Sequence, residues 1–268
     1  LFPSLLAVAE KAWSSPETMN YSDFYNRMVA QLPRLESMGV KYRLPDLIGL
    51  NRRNVFFDRD TVSVSCIDPS VTIHYTTDGS APQLSSPVYN GRLIVSQTTH
   101  FQFRAFGSDG RKGDIFRSDY IKGSMSQAVV PSGELHEGLH AVWYDYGGTT
   151  CKDIETAPLK GTYTTDGVEI PREAVGNIGL VLTGYISVPQ DGIYTFRLYS
   201  NDGAQLSVDG NVVADNDGMH DAVEITCQHA MQRGLHPISV RFFDHNGPGL
   251  QLRVFDKHAK EMPVGYLH

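Results

Sequence analysis

From residue 51 onward the chain is a succession of short alternating segments, each closed by a turn rich in Gly, Asn or Asp. Thr61–Ser65 alternates, and Val71–Thr76 alternates and ends at Asp78-Gly79. The pattern returns at Gly192–Tyr199, Gln205–Val208, Asn211–Val213, Leu235–Phe243 and Gly249–Phe255. A period of two puts alternate side chains on opposite faces, so each segment reads as a half-buried strand. Many such strands with turn signals between them specify sandwiches or barrels. Asp209-Gly210, set between two short strands, is a hairpin signal.

The first forty residues obey a different period. Phe2, Leu5, Leu6, Ala9, Ala12 and Trp13 fall on one helical face, with Pro3 suited to the first turn. Ser14-Ser15-Pro16 interrupts it. Phe24, Met28, Leu32, Leu35 and Met38 outline a second helix, with Asn20 or Ser22 as its cap and Gly39 at its end. Pro33 inside that pattern predicts a kink or a division into two shorter helices. Two amphipathic helices have little to pack against by themselves. Together with the absence of an initiating Met, they make the chain read as a piece of a longer polypeptide. The expected organisation is helices over 1–43, a small β-sandwich over 51–122, a linker over 123–134 and a larger β-domain over 135–268. The fold class is therefore mainly β with a short N-terminal helical segment. Tyr-Thr-Thr-Asp-Gly occurs at 75–79 and at 163–167, but the flanks differ, so the match reflects strand-then-turn chemistry rather than a repeat.

A net charge of -7 argues against nucleic acid as a partner, which would require a basic stripe. No run of about 18 apolar residues is present, so no transmembrane segment is expected. Cys66, Cys151 and Cys227 are too widely spaced for a zinc pattern. They leave open three reduced thiols or a single Cys151–Cys227 bridge. His220, His229, His236 and His245 stand at no zinc-binding spacing relative to one another, and no nucleophile elbow is found.

Three segments carry a resemblance. Phe2–Trp13 and Leu32-Pro33-Arg34-Leu35 resemble the last helices of the catalytic barrel of family 20 β-N-acetylhexosaminidases. Residues 51–122, with the hairpin His74–Pro82, resemble the small C-terminal β-domain of those enzymes. Residues 135–256 resemble the protective-antigen-type (PA-fourteen) lectin-like domain, through Gly138–Tyr144, Gly184-Tyr185-Ile186, Asp191–Phe196 and Ser200–His220. The resemblance implies an accessory region of a glycoside hydrolase, located outside the cytoplasm, with an N-acetylhexosamine-containing glycan and the upstream barrel as partners. Bracing of that barrel, without glycan binding, is the alternative it leaves. Family 20 catalysis uses an adjacent Asp-Glu pair, and this chain contains no two adjacent acidic residues. The chain itself is therefore expected to be catalytically silent.

The resemblance also implies a site. Glycan-binding relatives of the lectin-like domain hold calcium on two consecutive Asp residues, which correspond here to Asn201-Asp202. The amide lowers the ligand charge by one and predicts weaker calcium binding. Asp217 and Asn246 are further candidate calcium ligands, with Asp215 beside them. Asn201, Asp202 and Asn246 are the candidate sugar contacts. Trp143 is a candidate stacking platform, with Tyr144 and Tyr146 near it, although alternation commits some of these rings to the core.

Overall fold

A computed structural model describes residues 4–15, 17, 19–245, 247 and 249–268. Phe2, Pro3, Pro16 and Asn246 therefore lie outside the described residues. The chain is mainly β, with short N-terminal helices. It divides into two compact units: residues 1–50, 60–95 and 99–118, and residues 51–59, 96–98 and 119–268. The segments at 51–59 and 119–122 thus group with the C-terminal unit, not with the small β-domain of residues 51–122.

The first unit opens with α1 (Ser4–Trp13) and α2 (Tyr21–Ser37). Asn20 caps α2, its side chain accepting the Asp23 N–H at 3.1 Å. The expected division at Pro33 does not occur, because α2 runs unbroken through it. Leu32, the residue just before it, is buried and anchors that turn by packing. Gly39 adopts φ +70 beyond the helix end. Arg111 ties the helix to the strands that follow: it donates to Glu36 at 3.1 Å and to the Tyr42 carbonyl at 3.1 Å, and it stacks 4.1 Å from the Tyr42 ring.

Next come β1 (Leu47–Ile48), β2 (Arg53–Phe56), β3 (Asp60–Val62), β4 (Ser65–Cys66), β5 (Thr72–Thr76), β6 (Leu93–Val95), β7 (Thr99–Phe106) and β8 (Lys112–Lys122). In this unit β1 pairs with β4, β3 with β6 and β5 with β7, all antiparallel. Phe101 and Phe103 are buried and stacked 5.3 Å apart.

The second unit adds β9 (Leu139–Asp145), a 3-10 segment (Cys151–Thr156), β10 (Leu159–Thr165), β11 (Ile178–Val188), β12 (Gly192–Ser200), β13 (Ala204–Val208), β14 (Asn211–Asn216), β15 (Val223–Met231), β16 (Gly234–Asp244), β17 (Leu250–Phe255) and β18 (Gly265–Leu267). One sheet runs β10-β9-β11-β16-β13-β14, with β18 also on β11. The other runs β17-β12-β15-β2, with residues 119–122 of β8 pairing β2 in parallel. Their inner faces bury one core, in which Leu180, Leu182, Leu206, Val240 and Phe242 meet Phe196, Leu198, Ile225 and Val254. A second, smaller core lies on the outer face of the first sheet, where Tyr146, Val181 and Phe243 pack under Cys151 and Ile154 of the 3-10 segment. Residues 123–134 are partly docked. The Ser126 N–H donates to Ala230 O at 2.9 Å, and Val129 N–H donates to Leu235 O at 2.8 Å. All three cysteines are free thiols.

Candidate functional site

Strand order brings four loops to one end of the sandwich. β12 ends at Ser200, paired with Val223 on one side and Leu250 on the other. β16 ends at Asp244, opposite Ile178, which itself faces Asp145. The turn at 201–203 and the loops after β9, β14 and β16 therefore meet. Main-chain bonds tie them: Asn201 N–H to Gly249 O at 2.8 Å, Asp202 N–H to His220 O at 3.1 Å and Phe243 N–H to Gly203 O at 2.9 Å.

Asp202 sits at the centre. It is 3% exposed and takes φ +58, a left-handed conformation that Asp and Asn tolerate better than other side chains. Its carboxylate accepts the backbone N–H of His220 at 3.3 Å and of His245 at 3.1 Å. One side chain thus fixes two loops. Asp244, only 1% exposed, accepts the Gly247 N–H at 2.9 Å and the Asn201 side-chain amide at 3.3 Å. The Asn201 amide also donates to Gly247 O at 3.2 Å.

Two imidazoles brace this pair of buried carboxylates. The ring nitrogens of His220 lie 2.8 Å from Asp221 O and 2.9 Å from Asn216 O. Those of His245 lie 2.9 Å from Asn177 Oδ1 and 2.7 Å from Gly148 O. Gly203 is required by close packing, since a Cβ there would run into the Phe243 ring and lie 2.7 Å from Asp217 Oδ1.

The sequence candidates are brought together unevenly. Asn201 and Asp202 are in the cluster. Asp217 borders it, but its Oδ1 accepts the Cys151 N–H at 2.8 Å and the Gly218 N–H at 2.9 Å, so it anchors the 3-10 segment. Asp215 accepts from Gln205 at 3.1 Å and from Asp217 N–H at 3.2 Å. Trp143 packs against the sandwich core, with its indole nitrogen against Gly161. Tyr144 and Tyr146 belong to the small outer core, and the Tyr146 hydroxyl donates to Thr150 O at 2.6 Å.

The sequence marked the loop Asp244–Gly249 as a source of oxygen ligands but favoured Asn246 within it over Asp244. The signal for Asp244 was a carboxylate placed directly after the buried Phe242-Phe243 pair at a strand end. Sequence reasoning passed over His136-Glu137-Gly138-Leu139-His140, which has the His-Glu-x-x-His spacing of helical zinc sites. Here β9 begins at Leu139, so this stretch leads into a strand rather than lying on a helix. Gly138, between the two histidines, is a bend at φ +95, so the two side chains do not share a helical face. The His268 ring lies between them, 5.8 Å from His136 and 6.1 Å from His140. Among the described residues, no group of three or more His, Cys, Asp or Glu side chains is placed to hold a metal ion.

Residues 54–117 match the chitobiase/β-hexosaminidase C-terminal domain, and residues 135–265 match the PA14 domain. In this chain a hexosaminidase-type C-terminal domain is followed by a PA14 domain. A curated β-hexosaminidase of Porphyromonas gingivalis (strain ATCC BAA-308 / W83) is 23% identical over 249 residues, covering 88% of this chain and 32% of that protein. The chain thus spans about a third of the length of that relative. Similar solved structures include the PA14 domain of the MpAFP antifreeze protein (17% identity, TM-score 0.42, 49% of this chain and 88% of that one). The PA14 sugar-binding domain from an RTX adhesin is another (20%, 0.40, 48% and 95%). So is the epithelial adhesin 9 A domain of Candida glabrata in complex with Galb1-4GlcNAc (14%, 0.43, 52% and 92%). The loop cluster around Asp202 and Asp244 lies within the PA14 domain.

Proposed function

We propose that this chain is the non-catalytic C-terminal region of a β-N-acetylhexosaminidase that acts outside the cytoplasm, and that its PA14 domain recognises glycan through the loops around Asp202 and Asp244. The observation that carries this reading is the order of the two domains, a hexosaminidase-type C-terminal domain and then PA14, in a chain that aligns over 88% of its length with a β-hexosaminidase. The loop end supports it. Asn201, Asp202 and Asp244 form a fixed, oxygen-rich cluster at the tip of a rigid scaffold, where recognition loops tend to lie. Asn246 completes the proposed sugar-contacting set. Trp143, packed against the core, is left out of it.

Calcium belongs to the same proposal. Two carboxylates, from Asp202 and Asp244, and the Asn201 amide oxygen are hard donors of the kind calcium takes. When bound, the ion supplies coordination sites for vicinal sugar hydroxyls. Each carboxylate oxygen here already accepts an N–H, and those of Asp202 keep a lone pair each for a cation. With two carboxylates the dissociation constant falls at the weak end, on the order of 10⁻⁴–10⁻³ M. Asp217 contributes charge from the rim rather than direct ligation.

The test is a glycan array probed with the purified chain at millimolar calcium and in EDTA, beside a turnover assay on a chromogenic N-acetylglucosaminide. Glycan binding with no turnover is expected. Absence of binding in both conditions overturns the recognition half, and measurable turnover overturns the non-catalytic half.

A second reading rests on α1, where Trp13 is 90% exposed and Leu5 42%. This apolar face is suited to cover a preceding catalytic segment. Removing residues 123–268 from the intact enzyme while keeping α1, α2 and the small β-domain then leaves the stability and small-substrate kinetics of the catalytic segment unchanged. A large loss of either would assign the bracing to the PA14 domain instead.

A further inference from the structure

The loop cluster is not the only feature of the PA14 domain with ligand-like geometry. On the outer face of the β10-β9-β11-β16-β13-β14 sheet, a groove of about 480 Å³ runs across β11, β16 and β13. That volume falls in the range of small-ligand sites. Its floor is set by register. Thr183 stands opposite Ser239, and Ser239 stands opposite Ser207. Their inward neighbours Leu182, Val240 and Leu206 are fully buried, so the three hydroxyls point away from the core in one row. With strands about 4.8 Å apart, the row is about 10 Å long, the span of two linked pyranose rings. In the adjacent row Tyr185 stands opposite Pro237, and the Asp209-Gly210 turn closes the far end.

Three properties identify the ligand. His268 and Tyr185 are the titratable side chains that line the groove and no Asp, Glu, Lys or Arg does, so a neutral molecule fits it. The hydroxyls of Thr183, Ser207, Ser239 and Tyr185 make no hydrogen bond to any of the described residues, in contrast to the fully engaged side chains of the loop cluster. The half-buried Tyr185 ring and Pro237 form an apolar strip beside the hydroxyl row. A molecule with one apolar face and a ring of hydroxyls matches both halves.

We infer that this sheet face is a second glycan subsite, in which a neutral pyranose chain lies on Tyr185 and Pro237 and exchanges hydrogen bonds with Thr183, Ser239 and Ser207. It rests on the glycan-binding reading of the domain but needs neither the loops nor a metal, because no carboxylate lines it. The subsite lengthens the recognised glycan from a terminal sugar to a chain segment.

The test is titration of the full chain with di-N-acetylchitobiose in EDTA, followed by amide chemical shifts, for the wild type, Tyr185→Ala, Ser239→Lys and Asp202→Asn. Both groove positions are solvent-facing, and thermal melts confirm that each variant is folded. The expected result is binding in EDTA that Tyr185→Ala and Ser239→Lys each weaken about tenfold or more. Binding in EDTA that neither groove variant alters overturns the subsite, as does no binding in EDTA. If the subsite fails while calcium-dependent binding sensitive to Asp202→Asn persists, the loop reading stands alone. If the groove variants abolish all binding and Asp202→Asn none, the subsite stands and the loop reading falls.

Discussion

Asp202→Ala is the substitution that most directly tests the loop architecture. The carboxylate is 3% exposed and accepts two backbone N–H groups from two different loops, at His220 and His245. Removing it leaves both part-buried amides without that acceptor. An unmet buried N–H costs about 1–3 kcal/mol, so the pair would cost about 2–6 kcal/mol at full burial and lies toward the lower limit here. A further contribution is conformational. At φ +58, Ala is disfavoured by roughly 1–2 kcal/mol where Gly is not, so Asp202→Gly should recover that part and no more. Because the chain holds two compact units, a single global unfolding energy is a poor readout. Native-state hydrogen exchange at the two amides is the better assay. The lower limit of about 2 kcal/mol corresponds to about thirtyfold faster exchange at both His220 and His245. Asp202→Asn keeps one acceptor oxygen and should affect the two amides unequally. Unchanged protection of both amides in Asp202→Ala would refute the claim that this carboxylate holds the loops together.

The remaining predictions concern packing, pH and thiol chemistry. Gly203→Ala forces a Cβ against the Phe243 ring and Asp217, and overpacking of this kind costs about 1–3 kcal/mol, read as a lower melting temperature of the PA14 domain. Gly210→Ala, where no atom lies within 4 Å but φ is +74, should cost less, through backbone strain alone. Burial holds the His229 imidazole below its ordinary value of 6.5, against the opposing pull of Asp209. Above pH 6.5 neither state of His229 is protonated and stability is flat. As pH falls below 6.5 the unfolded chain takes up a proton that the folded chain resists, so stability declines until the folded value is reached. His229→Gln should flatten the melting profile between pH 7.5 and 5.5, and an identical slope in both proteins would exclude this histidine as the cause. Burial also pushes the Cys227 thiol up to about 12 and raises Cys151 further, while Cys66 is only half-buried. Thiol labelling of the folded chain should therefore modify Cys66 first, and all three should react at similar rates once denatured.

Local chemistry was legible where it acts over a few residues. The Asn20 cap, Gly39 beyond α2, and the Asp209-Gly210 hairpin all stand where the residues placed them. Of the two outcomes expected at Pro33, a kink or a division, the division does not occur, because tertiary burial of its neighbour Leu32 outweighs the local break. Residues 123–134 have the composition of a linker, yet they dock through backbone groups, which composition does not encode. Alternation showed that Trp143, Tyr144 and Tyr146 lie on or beside a strand. It could not show that both faces of that strand are covered, because the 3-10 segment on the outer face comes from later in the chain.

The sequence by itself determined a mainly β chain, the order of its two domain types and the oxygen-rich turn at Asn201-Asp202. Hydrophobic period and turn preference are short-range properties, and each strand and turn carries its own. Only the tertiary structure decided which loops share a site. Asp244 and Asn201 are 43 residues apart and meet because β16 and β12 end at the same edge of facing sheets. The sheet-face row of Thr183, Ser239 and Ser207 is likewise a product of register between strands distant in sequence. Strand order and register are set by burying one continuous core, a condition that all the strands must satisfy together and that no single segment contains.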